Sequence, residues 1–211
     1  MDPRQAKDAL LAAILPDVPF DGWTEAALTR AAERVGLDPG ELRSLCPGGP
    51  RDLVAWFSHW ADRETLRALE ARDLTALKVR ERIAAGVEAR LAVLAPHREA
   101  VRRSLALLTA PQNLALGAKL LYDAVDALWY AAGDKSTDFN FYTKRALLAG
   151  VYGATTLYWL DDRSPESTDT LAFLDRRLRD VMTIPKATER VRAWTSRLPD
   201  PFRFFRLARR R

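Results

Sequence analysis

The amino-acid sequence predicts an all-α protein, and three observations lead to that fold class. Apolar residues recur at helical spacing, as where Leu28, Ala31, Ala32 and Val35 form one stripe. Prolines and glycines separate such stripes at intervals that suit helices of ordinary length. No segment shows the period of two that a half-buried strand requires. With 211 residues, 48% of them hydrophobic, the chain can bury a substantial core.

The first part of the chain is predicted to form four helices, the third of them short. Asp38, Pro39 and Glu41 mark the start of that short helix, because they supply an acidic N-cap, a proline at the first helical position and a glutamate three residues after the cap. The four predicted helices span residues 3–15, 23–35, 39–45 and 51–71.

The rest of the chain is predicted to form six helices, with breaks at prolines, at Gly133 and at the turn over 161–165. These predicted helices span residues 75–94, 97–109, 112–132, 139–160, 167–182 and 186–198. We expect three regions: a helix-turn-helix-like part over 1–50, a larger helical domain over 51–183, and a basic C-terminal helix and tail over 184–211.

The order of the first helices resembles the DNA-binding domain of tetracycline-repressor-like regulators, in which the short third helix enters the major groove. Such a helix needs cations that neutralise phosphate. Here Arg43 is its only cation, against Asp38 and Glu41, and residues 1–60 hold 6 Lys/Arg and 9 Asp/Glu. The charge therefore predicts a repressor-like fold kept for packing or dimerisation rather than for binding nucleic acid. A ligand-responsive transcriptional regulator is the alternative.

The basic charge of the chain is concentrated at its C-terminus. Residues 176–211 hold 12 Lys/Arg and 3 Asp/Glu, whereas the whole chain carries a net charge of +5. Arginine and aromatic residues together favour the headgroup region of an anionic bilayer, so we expect membrane contact, with a solvated basic face as the alternative. The predicted membrane residues are Arg190, Val191, Trp194, Leu198, Phe202, Phe204 and Phe205.

The sequence contains no recognisable catalytic or metal-binding motif. His59 and His97 lie in separate predicted helices, and no Glu-x-x-His pair is present for a di-iron site. The adjacent Asp161 and Asp162 fall in a turn, where a capping or solvated role is favoured over catalysis. Cys46 is the only cysteine, which excludes an internal disulfide. We therefore predict a non-enzymatic protein without a metal or cofactor.

Three runs resemble the ubiquinone-biosynthesis lipid-binding proteins of the CoQ-nine family. They are Gly-Asp-Lys-Ser-Thr-Asp-Phe-Asn-Phe-Tyr-Thr-Lys-Arg (133–145), the apolar run over 146–160, and Ser-Pro-Glu-Ser-Thr-Asp-Thr-Leu-Ala-Phe-Leu-Asp-Arg-Arg (164–177). The resemblance implies a homodimeric accessory protein that binds an isoprenoid or phospholipid at the membrane and presents quinone intermediates to a di-iron hydroxylase.

The resemblance also implies residues for two sites. The patch that contacts the hydroxylase corresponds to Asp138, Asn140, Phe141, Tyr142 and Arg145, with Phe141 where tryptophan is common. The residues predicted to bind lipid belong to two strongly apolar helices, for which an ordinary filled core is the alternative. They are Leu116, Leu120, Leu121, Val125, Leu128, Leu147, Leu148, Val151 and Tyr152.

The start of the chain shows neither a secretory signal nor a transit-peptide pattern, and the abundance of Arg and Ala suggests a bacterial coding bias. We therefore expect a cytoplasmic protein, peripheral on the inner face of a bacterial cell membrane.

Overall fold

The computed structural model describes residues 2–133 and 139–195, and the side chains within these ranges except those of 139–141 and 182–195. This part of the chain contains no strand, which confirms the all-α prediction. It forms ten α-helices: α1 (Pro3–Ile14), α2 (Val18–Asp21), α3 (Glu25–Arg34), α4 (Pro39–Leu45), α5 (Pro50–Glu70), α6 (Val79–Leu94), α7 (Arg98–Leu108), α8 (Leu114–Ala131), α9 (Phe139–Asp161) and α10 (Thr168–Thr195).

The starts of the first helices follow from their capping residues. The Asp38 side chain accepts a hydrogen bond from the Glu41 backbone N–H at 2.9 Å, and the Glu41 carboxylate accepts one from the Asp38 N–H at 2.9 Å. This reciprocal capping box confirms the predicted start of α4. Thr24 caps α3 through its hydroxyl oxygen, which accepts a hydrogen bond from the Ala27 N–H at 3.2 Å. Past the end of α3, Gly36 has a φ of +73°, which a glycine adopts without strain.

The four N-terminal helices share one hydrophobic core with the larger bundle. Buried side chains of this core include Leu10 on α1, Leu53 on α5, Val87 on α6 and Trp159 on α9. Trp23 also donates its indole N–H to the carbonyl of Ala100 on α7, at 3.2 Å. The helix-turn-helix-like part is therefore packed onto the bundle rather than tethered to it.

The predicted helix boundaries differ from the structure in three places. Val18–Asp21 forms a single helical turn that was not predicted. Helix α6 begins at Val79 rather than near residue 75, because the Asp73 carboxylate accepts the N–H of Thr75, at 2.9 Å, and holds this segment in a turn. The predicted break at Pro185 is wrong, since α10 continues to Thr195. A proline removes one backbone donor and can kink a helix without ending it.

Asp162 organises the turn between α9 and α10. Its carboxylate accepts the backbone N–H of Ser164 at 2.7 Å and that of Thr170 at 2.9 Å, and also the Thr170 hydroxyl. These hydrogen bonds, that of the Thr170 hydroxyl foremost, hold the pKa of Asp162 well below its usual range. The capping role predicted for this acid is confirmed, and it positions the last helix.

We expect Asp162→Ala to lower the free energy of unfolding by about 1–2 kcal/mol at pH 7. The folded-state pKa lies below the unfolded value of about 3.9, so this stabilisation is present above that pH and is lost as pH falls towards the folded-state pKa. Urea unfolding at pH 7 and at pH 3 measures the free energy of unfolding of wild type and variant, and the difference between the two proteins should be smaller at pH 3. Asp161→Ala is the matched control, since Asp161 is 81% exposed and its ion pair with Arg102 lies at the surface. An equal difference at both pH values would contradict the assignment.

Candidate functional site

A cavity of about 500 Å³ lies among α5, α6, α7, α8 and α9. This volume is in the range of small-molecule sites. Most of its wall is aliphatic. The lining residues are Val54, Phe57, Ser58, Arg90, Leu94, Val101, Ser104, Leu105, Leu108, Thr109, Leu114, Gly117, Ala118, Leu120, Leu121, Ala124, Tyr152, Gly153, Thr156 and Leu157.

The space exists because small residues face large ones across the cavity. Helix α7 contributes Leu105 and Leu108, while α8 contributes Gly117, Ala118 and Ala124. A Cβ atom built on Gly117 would lie 3.4 Å from the Cβ of Leu108, so the two helices approach closely at that point. Larger side chains at the small positions of α8 would occupy the cavity.

The cavity reaches the surface at the start of α8 and near the end of α9. Leu114 is 55% exposed and Leu157 is 61% exposed, although both line the cavity. Exposed leucines at such an opening are suited to the tail of an apolar ligand that extends out of the protein.

The buried part of the cavity wall, here called its inner end, includes Arg90, which belongs to a buried ion pair. Arg90 is 3% exposed and binds the carboxylate of Asp62 on α5 through Nη1. Its Nε donates to the Tyr152 hydroxyl at 2.7 Å, and its Nη2 donates to the Ser58 hydroxyl at 3.3 Å. Burial alone would lower the pKa of Arg90, but Tyr152 and Asp62 outweigh burial and hold the pKa above its ordinary value. The guanidinium is therefore charged and fixed.

The structure places three of the nine residues predicted to bind lipid at the cavity wall: Leu120, Leu121 and Tyr152. The others do not line the cavity, and the lipid-binding set stays a prediction. Val125, Leu128, Leu148 and Val151 are buried in the core, and Leu116 and Leu147 are half-buried.

Sequence reasoning missed Arg90 and the walls from α5 and α7. One signal was present, since Arg90 follows Val87 by three residues and precedes Leu94 by four, on the buried side of α6. A lone cation on an apolar helical stripe indicates a buried pair or a binding group.

The predicted partner patch is only partly described. Tyr142 is 68% exposed at the start of α9, as a contact residue would be. Arg145 is 6% exposed, and its Nε binds the Asp126 carboxylate at 2.6 Å, so its side chain joins α8 to α9. Asp138 lies outside the described residues, and the same holds for the side chains of Asn140 and Phe141. Tyr130, which sequence reasoning did not include, is 76% exposed at the end of α8.

The predicted membrane residues lie at or beyond the end of the described chain. Arg190, Val191 and Trp194 belong to α10, but their side chains are outside the description. The remaining four, Leu198, Phe202, Phe204 and Phe205, fall outside the described residues. Among the helices that are described, none has the length and apolarity needed to span a bilayer.

Two arginines of the helix-turn-helix-like part form ion pairs with aspartates of the same part. Arg30 binds the carboxylate of Asp21, and Arg34 binds that of Asp17. Asp38 and Glu41 lie at the exposed start of α4, the helix that enters the groove in a DNA-binding protein of this type. Acids at this position repel phosphate.

The two histidines have different neighbours, aromatic rings for His97 and a carboxylate for His59. His97 packs its ring edge against Trp60 and Phe57, with ring centroids 5.7 Å and 6.1 Å away, and burial lowers its pKa. His59 Nδ1 lies 3.6 Å from the Asp62 carboxylate. In residues 2–133 and 139–195, no group of three or more His, Cys, Asp or Glu side chains could hold a metal ion.

Comparison with known proteins gives matches in sequence and in structure. The COQ9 family model matches residues 114–185. The chain is 34% identical over 196 residues to the rat protein named "Ubiquinone biosynthesis protein COQ9, mitochondrial", covering 90% of this chain and 63% of that protein. The human protein of the same name is 33% identical, with 90% of this chain and 62% of that protein covered. The chain thus spans somewhat less than two thirds of these relatives.

The structural match concerns the fold. A TetR transcriptional regulator from Nitrosomonas europaea superposes with a TM-score of 0.68 at 21% sequence identity, covering 83% of this chain and 97% of that one. The predicted tetracycline-repressor-like fold is confirmed.

Proposed function

We infer that this chain, which is related by sequence to the COQ9 proteins, acts in ubiquinone biosynthesis as a non-catalytic lipid-binding protein. In this proposal it binds an isoprenoid quinone intermediate or a phospholipid at a membrane surface and presents the quinone intermediate to the di-iron hydroxylase. The curated relatives carry ubiquinone biosynthesis in their names. They are also named as mitochondrial, whereas a bacterial, cytoplasmic location for this chain stays a prediction, as does the homodimer.

The observation that carries the proposal is the apolar cavity of about 500 Å³ with an opening at Leu114 and Leu157. A void of this size lined by aliphatic side chains forfeits packing contacts, so it is costly unless an apolar ligand fills it. An isoprenoid or acyl chain has the shape and polarity that this wall accepts.

Filling the cavity should remove lipid binding. Ala118 lines the cavity on the exposed side of α8, so Ala118→Trp would place an indole in the opening. We expect at least about a tenfold loss of affinity for a short-tailed prenyl benzoquinone, equivalent to about 1.4 kcal/mol. The measurement is a titration followed by tryptophan fluorescence, with native mass spectrometry of lipid that co-purifies.

Ala115→Trp is the matched control, because Ala115 is exposed on the same helix and does not line the cavity. Equal affinities of wild type and both variants would contradict a ligand in this cavity.

The exposed Tyr142 supports a docking surface for the hydroxylase at the start of α9. The nearby backbone is fixed, since the Trp129 indole N–H donates to the Lys144 carbonyl at 3.3 Å and Arg145 binds Asp126. An aromatic side chain held on a rigid helix loses little entropy on binding, which suits a contact residue.

Tyr142→Ala should weaken binding to the purified hydroxylase by about tenfold or more, because an aromatic anchor typically contributes at least about 1–2 kcal/mol. Its thermal unfolding midpoint should stay close to that of wild type, since the side chain is exposed. Tyr122→Ala is the control, because Tyr122 is an exposed tyrosine, 43% accessible, that lies on a different helix, α8. Surface plasmon resonance with all three proteins would test the patch, and unchanged binding by Tyr142→Ala would refute it.

The charge of the C-terminal segment supports a membrane role. Each arginine near an anionic surface contributes roughly 1 kcal/mol, and residues 196–211 hold 6 arginines against one aspartate. The phenylalanines interleaved with them match the composition of interfacial segments.

Deleting residues 196–211 should abolish flotation with vesicles that contain anionic phospholipid, at moderate salt. Wild type should float with these vesicles and not with vesicles of neutral phospholipid, because the attraction is electrostatic. Replacing the same arginines by glutamine, with the phenylalanines kept, is the matched variant and should give the same loss. Flotation of the truncated chain at the wild-type level would exclude this segment as the membrane contact.

The alternative role as a transcriptional regulator rests on the fold alone. The pairing of Arg30 and Arg34 with aspartates, and the acids at the start of α4, give it no further support.

A further inference from the structure

The inner end of the apolar cavity presents a small set of polar side chains. Arg90 and Tyr152 both line the cavity and are 3% and 7% exposed. Ser58, on α5, lines it as well. Polar groups that converge at one end of an otherwise aliphatic cavity determine how a ligand is oriented.

These side chains have unused hydrogen-bond donors. A guanidinium carries five N–H groups, and Arg90 uses three of them, for Tyr152, Asp62 and Ser58. Two N–H groups therefore have no acceptor among the described residues. The Tyr152 and Ser58 hydroxyls each accept from Arg90, and neither has a described acceptor for its own proton.

The other hydroxyls of the cavity differ in this respect. Thr156 donates to the carbonyl of Tyr152 at 2.9 Å, and Ser104 donates to that of Ala100 at 2.8 Å. Their protons are engaged within their own helices. The free donors are thus confined to the inner end, and what they lack is an acceptor.

The charge at this end decides which acceptor fits. Asp62 neutralises Arg90, and His59 lies 3.6 Å from the same carboxylate. A phosphate or carboxylate would bring an unpaired negative charge into an apolar cavity, at a large desolvation cost. A neutral carbonyl or ether oxygen accepts hydrogen bonds without that cost.

We propose that Arg90, Tyr152 and Ser58 form a recognition site for a neutral oxygen acceptor of the bound amphiphile, such as a quinone carbonyl. The ring of the ligand then lies at the inner end, and its apolar tail runs past α7 and α8 to the opening at Leu114 and Leu157. The site selects oxygen-bearing rings over plain hydrocarbon chains. This inference rests on the proposed lipid-binding function.

The test compares two ligands with the same short prenyl tail, one on a benzoquinone ring and one on a benzene ring. Wild type should bind the quinone at least about tenfold more tightly, because the unused donors are satisfied only by the quinone. Tyr152→Phe and Ser58→Ala should each reduce quinone affinity by roughly three- to tenfold and leave the affinity for the benzene analogue unchanged.

Two variants are used because loss of the Tyr152 hydroxyl also removes a partner of buried Arg90, whereas Ser58 is half-buried and its bond to Arg90 is long, at 3.3 Å. Thr155→Val is the matched control, since it removes a buried hydroxyl on α9 that already donates to the Val151 carbonyl, at 2.7 Å, and that does not line the cavity; it should leave both affinities unchanged. A thermal unfolding measurement on each variant serves to check that the variant is folded.

The outcomes separate the two proposals. Equal affinity of wild type for both ligands, or equal loss for both ligands in the variants, would overturn the recognition site while the cavity stands as a lipid site. Tighter binding of a prenyl phosphate than of the quinone would also overturn it. Failure of wild type to bind any of the three would refute the lipid-binding function itself.

Discussion

The buried Arg90–Asp62 pair is the constraint around which the helical bundle and its cavity are arranged. Through Asp62 and Ser58 it fixes α6 to α5, and through the Tyr152 hydroxyl it reaches α9. A buried charge that lost its partner would cost several kcal/mol, so these helices must keep the register that brings the groups together. The cavity lies beside this junction, and its inner wall is consequently the most firmly positioned part of the site.

Much of the fold could be predicted from local signals. Helix starts and ends depend on a few neighbouring residues and could be predicted from them. The structure contains the predicted capping box of Asp38 and Glu41, the glycine after α3 and prolines at helix starts. Pro185 shows the limit of such signals, because whether a proline ends or only kinks a helix depends on what surrounds it.

The site was harder to predict. Leu120, Leu121 and Tyr152 line the cavity while equally apolar neighbours fill the core, and only helix packing separates the two groups. Arg145 resembled a surface residue by its type and neighbours, yet it is buried against Asp126 nineteen positions earlier.

The relation between fold and function is visible in the N-terminal helices. They keep the order and packing of a helix-turn-helix domain, with Trp23 bonded to Ala100 on α7, while two of their cations, Arg30 and Arg34, are paired with aspartates. The packing part of a DNA-binding domain and its charge are therefore separable. A fold match at 21% identity supports the similarity in packing and gives no information about the charge.

Under the proposed lipid-binding function, the cavity among α5, α6, α7, α8 and α9 would link the stability of the folded chain to the supply of its ligand. A molecule that binds only the folded state raises the free energy of unfolding by about 2.7 kcal/mol when its free concentration is a hundred times its dissociation constant. That gain is a sizeable share of the marginal stability of a single domain. A cell depleted of this lipid would hold more empty protein, which opens and is degraded sooner, so that cargo shortage would itself lower the abundance of the carrier.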